Sequence, residues 1–187
     1  MIITATLDGY SSGSYHNKTH QAVASVLAVE QAPHESLAIK SWFAWAPSRK
    51  VSSFVNKHAN ETNDLLLVGK SLGALHVVER VINRWVSLPK YRGIHLVTID
   101  PNWPELWDWT PNLNRSTLKL SRKLTSATNI YSVAIDPRQQ AGALLQGQGA
   151  VNIPILGVNH HTIDGRPEIR DMLVKLVREM MKESPSL

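Results

Sequence analysis

The chain has 187 residues, a formal charge of +5 and no cysteine, so disulfides and thiolate metal sites are excluded. No apolar run approaches the roughly 20 residues that a membrane-spanning helix needs. The basic residues are mostly scattered and no nucleic-acid-binding motif accompanies them, so the charge reads as a solvated surface rather than a nucleic-acid interface.

Met1 leads directly into a strand-like run, Ile2-Ile3-Thr4-Ala5-Thr6-Leu7. No basic segment followed by a long apolar core precedes it, so no signal peptide is visible and a cytoplasmic location is expected. A small, polar loop follows from Asp8 to Ser14. From Asn17 to Glu30, Ala22, Val23, Val26, Leu27 and Val29 share one helical stripe, which Pro33 terminates. A second strand is expected over Ser36 to Trp45, closed by Pro47. Val51, Phe54, Val55 and His58 then mark a short helix.

The third strand is Leu65-Leu66-Leu67-Val68, an unbroken apolar run that breaks at Gly69-Lys70-Ser71-Leu72-Gly73. A helical pattern follows at once, with Leu75, Val78, Val81, Ile82 and Trp85 on one face. Gly-x-Ser-x-Gly between a strand and a helix is the context of a nucleophile elbow, in which the serine sits on a sharp, strained turn with its hydroxyl exposed. The glycines give the neighbouring strand and helix room to approach. A phosphate-binding loop shares the Gly-Lys-Ser letters, but it requires another glycine where Asp64 stands. A plain strand-to-helix turn is the remaining alternative, and an acid and a histidine elsewhere would decide against it.

Gly93 to Ile99 reads as the fourth strand, ending in Asp100-Pro101. The stretch from Pro101 to Asn112 holds Trp103, Trp107 and Trp109. A short helix is expected next, with Leu113, Thr117, Leu120 and Leu124 on one face and Arg115, Lys119, Arg122 and Lys123 on the other. Asn129 to Ile135 forms a fifth strand that ends in Asp136-Pro137. A glycine- and glutamine-rich loop covers Gln139 to Gly149. The sixth strand, Val151 to Val158, runs into Asn159-His160-His161. Pro167 opens a last helix whose buried stripe is Ile169, Met172, Leu173, Leu176, Val177 and Met180.

Strands alternating with helices argue for an α/β fold, a three-layer α/β/α sandwich on a mainly parallel sheet of about six strands, with one domain over residues 1–187. In such a sheet ligands bind at the carboxyl ends of the strands. Ser71, Asp100, Asp136, His160 and His161 all follow a strand, and they occur in the order serine, acid, histidine. His16 and His20 are the one histidine pair with a helical metal-ligand spacing. They stand alone, so no metal site and no cofactor is expected.

The whole chain resembles a minimal α/β-hydrolase of the lipase and thioesterase kind, with little or no cap. The matching stretches are Gly69-Lys70-Ser71-Leu72-Gly73, Val97-Thr98-Ile99-Asp100-Pro101, Asn129-Ile130-Tyr131 and Val158-Asn159-His160-His161-Thr162-Ile163. Two departures are Lys70 inside the elbow and the lack of a histidine before Gly9. The resemblance implies a serine esterase or thioesterase with Ser71 as nucleophile, acting on a small-molecule ester or acyl substrate. It implies Asp100 as the acid through its Ile-Asp-Pro setting, with Asp136 as the alternative. It implies His160 as the base, three positions before Ile163, with His161 as the alternative. Leu72, the residue after the nucleophile, supplies one oxyanion-hole N–H, and the resemblance puts the second at Tyr10 in the first loop. Trp103 and Trp107 are candidates for an apolar substrate-binding wall. An acyltransferase would use the same triad, and an idle hydrolase fold kept for binding is a third reading. The oligomeric state is not legible.

Overall fold

In the computed structural model, residues 1–9, 18–40, 46–101, 117–133, 142–158, 160 and 162–182 are described. Six parallel-paired strands form the main sheet: β1 (Ile2–Asp8), β2 (His34–Lys40), β3 (Asp64–Lys70), β4 (Gly93–Ile99), β6 (Ser126–Val133) and β8 (Ala150–Leu156), in the order β2-β1-β3-β4-β6-β8. The expected α/β fold with a mainly parallel six-stranded sheet is therefore present. β5 (Thr117–Lys119) and β7 (Leu144–Gln146) pair in parallel as a separate two-stranded sheet.

Both faces of the main sheet are covered, which is why its central strands read as nearly continuous apolar runs. On one face Ile3, Ala5, Leu7, Leu65, Leu67, Ile94 and Leu96 pack with Val51 and Val55 of α2 (Ala46–Lys57) and with the helix that begins at Leu72. On the other face Leu66, Val68, Val97, Ile99 and Ile130 pack with Val23, Val26 and Leu27 of α1 (Lys18–Val29). Ile169, Leu173, Leu176, Val177 and Met180 of α4 (Pro167–Lys182) join them. Pro167 is the first residue of α4, where its missing N–H costs nothing. Among the described residues, no helix is long and apolar enough to cross a membrane.

Two expectations are corrected. Thr117, Leu120 and Leu124 do not share a helical face: Thr117–Lys119 is a strand and Leu120 to Thr125 has no helical turn. Leu120 and Leu124 are buried all the same, and Leu118, which the helical reading placed on neither face, is buried with Leu145 of the partner strand β7. The loop expected over Gln139 to Gly149 conceals β7, whose Leu144-Leu145-Gln146 is too short to show a period.

The helix after Ser71 also changes character along its length. α3 (Leu72–Leu75) passes into a π-helical turn over His76–Val81 and a 3₁₀ turn over Ile82–Arg84. His76 lies half-buried in the π turn, where burial and then the Arg80 charge hold its imidazole below the ordinary histidine pKa.

At the amino end of the sheet a buried ion pair ties the last helix down. Arg92 Nε donates to Asp64 Oδ1 at 3.0 Å, and Arg92 Nη2 bonds both Asp64 Oδ2 and the Met180 carbonyl, the latter at 2.7 Å. Asp64 is buried, so removing the cation strands a carboxylate in the core. Such losses cost about 3–5 kcal/mol. Arg92→Leu is therefore expected to lower unfolding stability by about that much, read as a fall in the urea midpoint at unchanged slope. A midpoint within error of wild type would show that the pair contributes nothing net.

Tyr91 donates to the Val55 carbonyl at 2.7 Å, and burial pushes its phenol up to about 12. A phenol raised in the folded state contributes stability that is complete below its unfolded pKa of about 10 and fades as pH climbs toward 12. Tyr91→Phe should flatten the alkaline limb of the stability profile between those values, measured by urea unfolding at a series of pH values.

Candidate active site

The candidate site begins with the sharp turn where β3 meets α3. Ser71 has φ 54° and ψ −128°, a left-handed conformation that a non-glycine residue adopts only when its surroundings hold it there. A Cβ on Gly69 would lie 2.6 Å from Ala74 Cα, and one on Gly73 would fall on the Leu7 carbonyl. The two glycines thus let the helix fold back against β3 and β1, as their pattern suggested. The Ser71 N–H donates to the Ile99 carbonyl at 2.9 Å, continuing the β3–β4 ladder one residue past the strand. The Asp100 N–H does the same toward the Ile130 carbonyl at 2.7 Å.

The carboxyl ends of three strands deliver side chains to one place. Ser71 follows β3, Asp100 follows β4, and His160 follows β8. His160 Nε2 is 2.9 Å from Ser71 Oγ, and His160 Nδ1 is 2.6 Å from Asp100 Oδ2. The hydroxyl and the carboxylate thus lie on opposite ring nitrogens of one imidazole. With Nδ1 as donor toward the carboxylate, Nε2 is the nitrogen left to accept from the serine. Asp100 is fully buried, Ser71 is 9% exposed and the His160 side chain 18% exposed, so only the serine–histidine end faces outward.

Asp100 also has a left-handed backbone, with φ 47°. Its carboxylate is held from β6: the Ser132 N–H donates to Oδ1 at 2.7 Å, and the Ser132 hydroxyl lies 2.8 Å from Oδ1 and 3.0 Å from Oδ2. Gly142 closes the remaining side, where a Cβ would fall on Oδ1 itself. Gly142 is kept there by its successor. The Ala143 N–H donates to the Pro101 carbonyl at 2.8 Å, and Asn129 Nδ2 donates to the Ala143 carbonyl at 3.0 Å. Asn129 in turn accepts from Thr98 at 2.8 Å and donates to Asn152 at 2.8 Å, while Asn152 brackets Leu145 through both its backbone groups. This partly buried amide network ties β7 to the main sheet.

On the Ser71 side Gly9 approaches closely. A Cβ there would meet Ser71 Cβ at 2.6 Å and the Leu72 N at 3.0 Å. Leu72 opens the helix, so its N–H is among those without an intrahelical acceptor. Of the other residues singled out in the sequence, Tyr10, Trp103, Trp107, Trp109, Asp136, His16 and His161 lie outside the described residues. His20 sits against β1 with its Nδ1 3.0 Å from Thr6 Oγ1. No group of three or more metal-ligating side chains occurs among the described residues.

Sequence reasoning missed Ser132, Gly142 and the role of Gly9. A serine near the end of a strand and a glycine in a glycine-rich loop carry no local mark of what they touch.

The crowding at Gly142 is testable against a second glycine. Gly142→Ala is expected to cost about 1–3 kcal/mol of stability, the usual range for an added methyl that nothing can yield to. Gly165→Ala, where a Cβ meets nothing within 4 Å, should be close to neutral. Equal urea midpoints for the two variants would remove the packing argument.

No family model matches the chain, and no curated protein matches it in sequence. Among solved structures, the chain is similar to the crystal structure of the ydeN gene product from B. subtilis, with a TM-score of 0.56 and 14% sequence identity over 94% of this chain and 98% of that one. At that identity the likeness is one of fold, and it extends over nearly the whole of both chains.

Proposed function

We propose that the chain is a serine hydrolase of the α/β-hydrolase type that cleaves carboxylic ester or thioester bonds through an acyl-enzyme. The observation that carries this reading is the single imidazole of His160 between Ser71 Oγ at 2.9 Å and Asp100 Oδ2 at 2.6 Å. The strained serine between β3 and α3 supports it, because such strain recurs at nucleophile elbows.

A serine hydroxyl is a weak nucleophile at neutral pH. As it attacks the acyl carbon, its proton passes to His160 Nε2, and Asp100 stabilises the imidazolium through Nδ1. The developing oxyanion is met by the Leu72 N–H, together with a donor from the loop that Gly9 begins. Collapse of the tetrahedral intermediate expels the alcohol or thiol, which takes its proton from Nε2 of His160. Water then repeats the sequence on the acyl-serine and releases the acid.

Ser71→Ala should remain folded and lose turnover of nitrophenyl esters by up to about 10⁶ in kcat. It should also lose covalent labelling by a fluorophosphonate probe. A wild-type chain that neither turns over esters nor takes the label is a binding module, and the proposal fails. Product analysis with an added alcohol separates transfer from hydrolysis, since an acyltransferase would form a new ester. Asp100→Asn should lower kcat by about 10⁴, because the wrong tautomer would then face the serine. A loss of that size in Asp136→Asn instead would move the acid to Asp136.

A further inference from the structure

We propose that Ser132 is a positioning residue for this chemistry, acting on His160 only through Asp100; the proposal rests on the hydrolase reading above. Asp100 is fully buried, so both carboxylate oxygens depend on protein donors. Oδ2 receives the His160 Nδ1–H at 2.6 Å. Oδ1 receives the Ser132 N–H at 2.7 Å, and the Ser132 hydroxyl at 2.8 Å is its second donor. That hydroxyl is also 3.0 Å from Oδ2, but its one proton serves one oxygen at a time.

The carboxylate is thus turned so that one oxygen faces the imidazole and the other faces β6. A carboxylate can turn about its Cβ–Cγ bond, and three features resist that rotation here. The backbone donor is fixed by the sheet, the hydroxyl donor is fixed by the full burial of Ser132, and Gly142 leaves no space beside Oδ1. Of these, the hydroxyl is the one that a side-chain substitution can remove while the fold keeps its hydrogen-bond ladder.

The consequence follows from when the carboxylate is needed. Its bond to His160 strengthens as the imidazole becomes charged, which happens on the way to the tetrahedral intermediate and not on substrate binding. A loosened Asp100 should therefore lower kcat and leave KM nearly unchanged. Donors to a charged acceptor are among the stronger hydrogen bonds, so a loss of roughly tenfold to hundredfold is expected.

The test is a double-mutant cycle of Ser132→Ala and Asp100→Asn, with turnover of a nitrophenyl ester and proton NMR as readouts. Ser132→Ala alone should cut kcat roughly tenfold to hundredfold with KM within about twofold of wild type. In the Asp100→Asn background the same change should have no further effect, because Ser132 acts through the lost carboxylate. The downfield resonance of the His160 Nδ1 proton, present in wild type, should shift upfield or disappear in Ser132→Ala. Equal losses in both backgrounds, or an unchanged kcat and an unchanged resonance, overturn the proposal. The resonance needs no substrate. If wild type proves inactive, the hydrolase reading falls by itself, and Ser132→Ala still decides the positioning by whether it moves the proton signal. Should Ser132→Ala fold poorly, Ser132→Cys keeps the volume with a weak donor and is expected to show the same shift and a loss of the same sense; wild-type values in that variant overturn the proposal.

Discussion

Everything at the carboxyl edge of the sheet depends on how closely α3 can approach β1. The Gly73 backbone rests against the Leu7 carbonyl, and no side chain fits between them. That contact folds the chain back immediately after β3 and forces Ser71 into left-handed backbone. Strain of this kind costs of order 1–3 kcal/mol and persists only where the surroundings over-determine it. Here the surroundings are the β3–β4 ladder, extended through the Ser71 N–H, and an apolar cluster that includes Leu7, Leu72 and Leu75.

The second organising constraint is electrostatic. A carboxylate with no solvent access is costly unless its lone pairs are met. Asp100 meets this condition with groups from three directions: His160 after β8, Ser132 on β6, and the close cover of Gly142. The strand order β3-β4-β6-β8 makes this possible, because Ser132 stands on the strand next to that of Asp100 and His160 follows the strand one removed from it. β6 lies between the strand that precedes Asp100 and the strand that precedes His160, and the donor to Asp100 comes from it.

The two ends of the sheet use polar groups differently. At the amino end, Arg92 bonds Asp64 and the Met180 carbonyl of α4, and His95 Nδ1 lies 2.9 Å from Ser126 Oγ. That cluster fastens a helix to a sheet. At the carboxyl end the groups are aligned in series from a buried carboxylate to a hydroxyl near the surface. A series can pass charge and protons along its length, and the proposed chemistry rests on that difference between the two clusters.

Much of this was legible in the chain itself. The central strands β1, β3 and β4 appear as apolar runs because burial on both faces removes polar alternation, and the tight turn at Ser71 appears because its glycines are required where the helix folds back on the sheet. Pro167 and the apolar stripe of α4 are equally local. The short pair β5 and β7 was not legible: three residues are too few for a period, and Leu118 and Leu145 suit a helix face as well as a strand. For the acid, the residues alone left Asp100 and Asp136 open, and only resemblance to known hydrolases favoured one. The tertiary structure set the Asp100 carboxylate against His160. It also gave Ser132 and Gly142 their places, for the physical reason that strand order, decided by burying both sheet faces at once, determines which strand ends become neighbours. Sequence spacing does not record that order.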